Sequence, residues 1–261
     1  MDDGTLVFAC EHRVLADAMR TAGVQADMLC VDAPYSARTH AGHNGVTAAV
    51  NGILPADRDL TVRRGLGYDH FTAEDCEAFA ALWSPLVRGW VVSLTDDVLA
   101  VAWRDALERS GRRAFQTVPA VIRGMTCRLT GDGPSSWSIS CMVARVRSAE
   151  MVRWGTLPGA YVGVQEVGQS WVGGKPVWLI RALVRDYSRP NDLIVDPTCG
   201  AGTLAVACRY EGRRAILADK DPAAIECTVK RLRGERTKPT RTDFPATDSQ
   251  PSLFAGRDAA E

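Results

Sequence analysis

Two consecutive strand–turn–helix units, "LIVDPTCGAGTLAVACRYEG" and "RRAILADKDPAAIECTVKRLRG", occupy residues 193–234 and restrict the fold more than any other feature. Each opens with a short aliphatic run that ends in an acid. A turn and a helical stretch closed by glycine follow. Strands linked through helices must run parallel, because an antiparallel return needs only a tight turn. The same alternation fills the first half. "TLVFAC" reads as a strand and "HRVLADAMRTAG" as a helix stopping at Gly23, while "ADMLCVDAPY" is a strand entering a turn. Thr72, followed by acids, opens a helix, "GWVVSLTDD" is a strand, and "DVLAVAWRDALERSG" is a helix ended by Gly111. "AFQTVPAVI" and "WSISCMVARV" read as strands, and "GKPVWLIRALVRDYSRPND" as a helix. Between them, "SARTHAGHNGVTAAVNGILPADRDLTVRRGLGYDH" has little periodicity and reads as a long loop. The expected fold is α/β, a doubly wound, mostly parallel sheet of Rossmann-like type with helices on both faces.

This gives one domain over 1–234, with a catalytic half at 1–150, a short linker or recognition segment at 148–174 and a cofactor half at 175–234. Beyond it, the hydrophobicity collapses, and 235–261 reads as a disordered tail.

Net charge is zero, so no molecule-wide basic field announces a nucleic acid, although nine arginines against four acids between Arg104 and Arg153 make that stretch locally basic. The eight cysteines contain no CxxC pair, which points to reduced thiols. His40 and His43 form an HxxH without a thiol or carboxylate neighbour, so no metal is expected. No apolar run approaches the roughly 18 residues of a membrane span, and no leader pattern opens the chain. A cytoplasmic protein is expected.

The turn "DPTCGAGT" carries the first functional signal. Gly200 and Gly202 allow close backbone approach to a ligand, and the helix start at Thr203 offers unpaired N–H groups. "GAGTLA" also satisfies the dinucleotide fingerprint, so a nicotinamide-dependent oxidoreductase has to be weighed. Asp196, ahead of the glycines, suits an ammonium group, and Asp219, ending the next strand, suits the hydroxyls of a ribose. S-adenosylmethionine carries both.

The stretch from "GGKPVWLIRALVRDYSRPNDLIVDPTCGAGT" to "DPAAIECTVKRL" resembles the cofactor half of the beta-class DNA amino-methyltransferases, in which a Lys-Pro helix leads into a DP-x-x-G-x-G-T turn. "VDAPY" resembles the family's D-P-P-Y tetrapeptide, and the order, catalytic motif before cofactor motif, is that of this class. The resemblance implies methyl transfer to an exocyclic amine of a flipped DNA base. It assigns Asp32, Ala33 (through its carbonyl), Pro34 and Tyr35 to catalysis. Asp196, Pro197, Gly200, Gly202, Thr203 and Asp219 then hold the cofactor, with Lys175, Pro176 and Cys10 beside it. Two acceptors let the amine nitrogen rehybridise, and Tyr35 offers a stacking face. The opening Asp resembles adenine-N6 members more than cytosine-N4 ones. Ala33 in place of a proline, and Cys10 where the family often has an acid, depart from the pattern. They leave a catalytically inactive DNA-binding protein as a further alternative.

Ser36, Arg38, His40, His43, Arg63 and Arg64 are candidate phosphate contacts, and Trp137 is a candidate for a flanking base. Trp154 and Tyr161 fit either a DNA contact or the core. In the tail, "QPSLF" resembles the pentapeptide with which bacterial proteins dock on the replication sliding clamp, with Gln250, Leu253 and Phe254 as anchors. With no large recognition domain between the motifs, a short target, relaxed specificity or a second subunit is expected. The resemblance further implies a bacterial or phage protein acting at the nucleoid.

Overall fold

A computed structural model of the chain describes residues 4–44, 68–124, 136–148, 154–166 and 174–235. In chain order the elements are β1 (Thr5–Ala9), α1 (His12–Thr21), β2 (Ala26–Asp32), α2 (Ala37–Asn44), α3 (Ala73–Trp83), a 3-10 turn (Ser84–Leu86), β3 (Val87–Thr95) and α4 (Ala100–Arg109). There follow β4 (Arg113–Ala114), β5 (Val118–Arg123), β6 (Ser138–Arg145), β7 (Tyr161–Val164), α5 (Val177–Tyr187), β8 (Leu193–Asp196), α6 (Thr203–Glu211), β9 (Arg214–Asp219) and α7 (Pro222–Leu232).

The strands form one sheet in the order β1-β9-β8-β2-β3-β6-β5-β7, with β4 also paired to β6. From β1 to β3 all neighbours are parallel, whereas β6 runs antiparallel to both β3 and β5. The sheet is therefore mostly parallel, as expected, with one reversed strand.

Alternation along β2 explains the two-sided packing. Met28 and Cys30 face a core that includes Leu179 and Leu183 of α5 and Leu204 of α6. Leu29 and Val31 face the opposite core, with Leu15 of α1, Phe79 of α3 and Trp103 of α4. A strand buried on both sides has to be a continuous apolar run, and "ADMLCV" is one. Trp154 and Tyr161 belong to this packing. The Trp154 indole N–H donates to the Asp186 carbonyl, and the Tyr161 hydroxyl donates to the Asp186 carboxylate at 2.9 Å.

The stretch expected to be loop from Ser36 onward opens instead as helix α2. Its first turn is organised from another strand. Asp96, just past β3, accepts from the Ser36 N–H at 3.0 Å and from the hydroxyls of Ser36 and Thr39. Such a cap is supplied across the sheet and leaves no local periodicity. At Thr72 the local signal suffices, since Thr72 and Asp75 cap each other reciprocally.

Connectivity leaves one crevice. From β2 the chain proceeds to β3 on one side, and from β8 to β9 on the other. The carboxyl ends of β2 and β8 therefore flank the topological switch point, where open α/β sheets hold their ligands.

Candidate active site

Asp32 ends β2 and Asp196 ends β8. The register pairs Met28 with Ile194 and Leu29 with Val195, so Asp196 lies level with Cys30, two residues short of Asp32. Strand spacing and rise then put the two acids about 8 Å apart along the backbone. Asp219 ends β9, the strand on the far side of β8.

On the β2 side, Lys175 Nζ donates to Asp32 Oδ2 at 2.5 Å and stands 4.9 Å from the centroid of the Tyr35 ring. Asp32 Oδ1 is buried and makes no hydrogen bond of normal geometry. Burial, followed by the charge of Asp32, holds the Tyr35 hydroxyl protonated far above the usual phenol range. The Phe71 N–H donates to the Tyr35 carbonyl at 3.0 Å, which pins the end of the turn. Ala33 is buried beneath it. Burial alone would raise the Asp96 carboxyl, but the donors of Ser36, Thr39 and Leu99 outweigh it and the acid sits below the usual range. Burial, followed by the charges of Asp32 and Asp219, raises the Tyr68 hydroxyl above the usual phenol range.

On the β8 side the turn is held by its own partners. Asp196 Oδ1 accepts from the Thr198 N–H at 3.1 Å and Asp219 Oδ2 from the Gly200 N–H at 2.8 Å. The Thr228 hydroxyl donates to the Gly200 carbonyl and Arg231 to the Ala201 carbonyl. Gly200 and Gly202 have φ of 50° and 70°, and a Cβ on Gly202 would lie 2.5 Å from the Thr228 methyl. Only glycine suits both demands there. No side chain caps the start of α6, which leaves its first amides facing the crevice. Asp196 is 5% exposed, and burial, reinforced by the charges of Asp32 and Asp219, raises its carboxyl well above the usual range. A buried acid in that condition calls for a cation. The Cys10 N–H donates to the Asp219 carbonyl, so Cys10 also borders this end.

Several predicted residues lie elsewhere than expected. Lys175, assigned to the cofactor, reaches Asp32, while Pro176 caps the following helix from outside it. Ser36 and His40, proposed as phosphate contacts, are 4% and 7% exposed, the first committed to Asp96 and the second packed against the Tyr68 and His70 rings. Burial, aided by His70, lowers the His40 pKa and favours its neutral form. Arg38 remains exposed beside Asp97. Trp137, 38% exposed, precedes β6 at the edge of the sheet that carries Asp32, and exposed Arg123 ends β5 at that same edge. The His43 side chain, Arg63, Arg64 and the 250–254 pentapeptide lie outside the described residues.

Among the described residues of the basic stretch between Arg104 and Arg153, several arginines are engaged within the fold. Arg112 is buried against the carbonyls of Ser84, Val87 and Gly89, and burial lowers its pKa to about 10. Arg109 pairs with Glu77 and Arg147 with Glu108. Sequence reasoning missed Asp96, Tyr68 and Arg123. The acid of "SLTDD" was visible, but nothing local connected it with Ser36.

Residues 154–230 match the family model described as DNA methylase. Over that stretch the chain is similar to the DNA methylases. Over 66 residues, a quarter of this chain, it is 35% identical to the type II methyltransferase M.Cfr9I of Citrobacter freundii. That match spans 22% of the relative's length. Among solved structures, an M1.HpyAVI–SAM complex aligns with a TM-score of 0.64 at 15% identity, covering 87% of this chain and 98% of that one. PvuII DNA methyltransferase, described as cytosine-N4-specific, aligns with a TM-score of 0.61 at 9% identity over 87% of each chain. At such identities the two structures establish a shared methyltransferase fold. Among the described residues no cluster of His, Cys, Asp and Glu could hold a metal, and no helix is long and apolar enough to cross a membrane.

Proposed function

We propose that this chain methylates an exocyclic amine of a DNA base, with adenine N6 as the target and S-adenosylmethionine as the methyl donor. One observation carries the reading: Asp32 and Asp196 end neighbouring parallel strands at the switch point. An amine acceptor and an ammonium acceptor thus open into a single crevice.

The residues present fit the donor. Asp196 is a buried carboxylate in want of a cation, Gly202 leaves room that a Cβ would fill, and Asp219 ends the next strand, as a ribose-binding acid must. When bound, S-adenosylmethionine supplies an electrophilic methyl group. Asp32 Oδ1 and the Ala33 carbonyl accept the two amine hydrogens, which draws the lone pair out of the ring and onto the nitrogen. Tyr35 supplies the face on which the flipped base stacks. Pro34 and the Phe71-to-Tyr35 hydrogen bond hold those acceptors still, so little reorganisation is needed. Ala33 keeps the carbonyl that a proline would have provided, which favours an active enzyme over an inactive binder.

Two supports are weighed for the base. Asp at position 32 resembles the adenine enzymes, while a fold match to a cytosine-N4 enzyme supports the alternative. Incubating the protein with DNA and methyl-labelled S-adenosylmethionine, then identifying the nucleoside by mass, tests both. N6-methyldeoxyadenosine is expected, N4-methyldeoxycytidine replaces the target, and no label in DNA ends the reading. For the sliding clamp, the proposal rests on "QPSLF". Deleting residues 249–255 should abolish pull-down by the clamp, and unchanged pull-down refutes it.

A further inference from the structure

The ammonium of Lys175 occupies a place that the methyl-transfer reading gave to no group of the protein. It lies 2.5 Å from Asp32 Oδ2, with its side chain only 11% exposed, and 4.9 Å from the Tyr35 ring centroid. Asp32 Oδ1, on the same carboxylate, is buried and makes no hydrogen bond of normal geometry. The lysine is itself well anchored. Pro176 follows it, and Glu166 accepts from the Val177 and Trp178 N–H groups at 2.9 and 3.2 Å, which fixes the start of α5.

We propose that Lys175 is a positioning residue for the amine-binding carboxylate: its ammonium grips Asp32 Oδ2 and thereby aims Oδ1 at the target N–H. This rests on the methyl-transfer reading and moves Lys175 from the cofactor to the base end of the crevice. A carboxylate on a free side chain rotates at small cost, and a charge-assisted contact on one oxygen removes that freedom before substrate arrives.

Charge adds a second effect. The groups that feel the charge of Asp32 or meet it are Lys175 before α5, Asp196 at the end of β8, Tyr35 on its own turn, Tyr68 before α3, Cys30 on its own strand and Cys141 on β6. Of these, Lys175 is the cation and Asp196 the competing anion. Taking away the positive charge leaves the carboxylate facing Asp196 with no cation to hold its oxygens in place.

The test compares wild type, K175M, K175Q and K175R by label transfer to DNA, with S-adenosylhomocysteine affinity measured separately. Folding is checked by circular dichroism and thermal unfolding. K175M and K175Q should lose about a hundredfold in kcat while S-adenosylhomocysteine affinity and the KM for DNA stay within a small factor of wild type. K175R, which keeps the charge, should recover most of that kcat. An undiminished kcat in K175M and K175Q, or a loss confined to S-adenosylhomocysteine affinity, overturns the assignment. Wild type that labels no DNA removes the parent reading, and a wild type that labels DNA separates the two failures. If both neutral variants unfold, K175R decides: kcat lost despite retained charge overturns the proposal, and retained kcat upholds it.

Discussion

The two turns that border the crevice are built in opposite ways. From Asp196 to Thr203, the backbone is engaged by the protein itself: Asp219 takes the Gly200 N–H, and Thr228 and Arg231 take the carbonyls of Gly200 and Ala201. From Asp32 to Tyr35, the reacting end is left incomplete. Asp32 Oδ1 is buried without a normal hydrogen bond, and the anchoring is displaced outward to Asp96, Phe71 and Lys175. A satisfied turn is rigid and needs its ligand only for the remaining charge on Asp196. A turn with an open buried acceptor carries a desolvation cost that a substrate N–H relieves. The contrast fits the proposed reading, in which the first turn meets the same donor at every turnover and the second receives a base drawn out of DNA.

Four substitutions test that contrast, the largest first. Asp32→Ala should reduce label transfer to DNA by about 10²–10³-fold, the typical loss for one preorganised polar partner of a transition state. Its thermal shift with S-adenosylmethionine should stay close to wild type. Equal damage to both would mean that the two ends are not separable. Gly202→Val should act at the other end. Its Cβ falls 2.5 Å from the Thr228 methyl at a positive φ, so overpacking alone costs about 1–3 kcal/mol. Ligand-induced stabilisation should vanish, and an undiminished shift would show that the turn tolerates remodelling.

Asp96→Asn comes next. The folded state holds this acid below the usual range, so its contribution is present above the unfolded value and is lost as pH falls through the lowered folded one. The amide should cost about 1 kcal/mol, read in urea, and lower kcat more than it alters cofactor affinity, because Ser36 and Thr39 loosen beside the base. Asp196→Asn has the smallest effect on the free protein and the opposite sign. Its carboxyl is raised, so ionisation destabilises the folded form progressively as pH rises from the unfolded value through the folded one. The variant should melt a few degrees above wild type at neutral pH, converge with it near pH 4, and gain nothing from S-adenosylmethionine. A variant that melts lower at neutral pH would show that the charge is already compensated.

The two turns were readable in the sequence because their signals are local. "DPTCGAGT" and "DAPYS" each end an aliphatic run, and both turns fall at strand ends in the structure. What escaped detection was contributed from afar. Asp96 bonds Ser36 across 60 residues, and Lys175 meets Asp32 across 143. Ser36 and His40 read as a polar loop, yet tertiary packing buried them and turned the segment helical. The local basic excess of 104–153 left the role of its arginines open for a related reason, since counting charges does not reveal that Arg112 serves carbonyls inside the fold.

The sequence by itself determined the alternation of strands and helices, the glycines with positive φ, and the acids that close β2, β8 and β9, because periodicity and turn chemistry operate over a few residues. Only the tertiary structure decided that β8 lies beside β2, that β6 is reversed, and that a lysine from the start of α5 grips the acid at the end of β2. Those outcomes depend on sheet order and register, which are set by the burial of two apolar faces at once and not by any single segment.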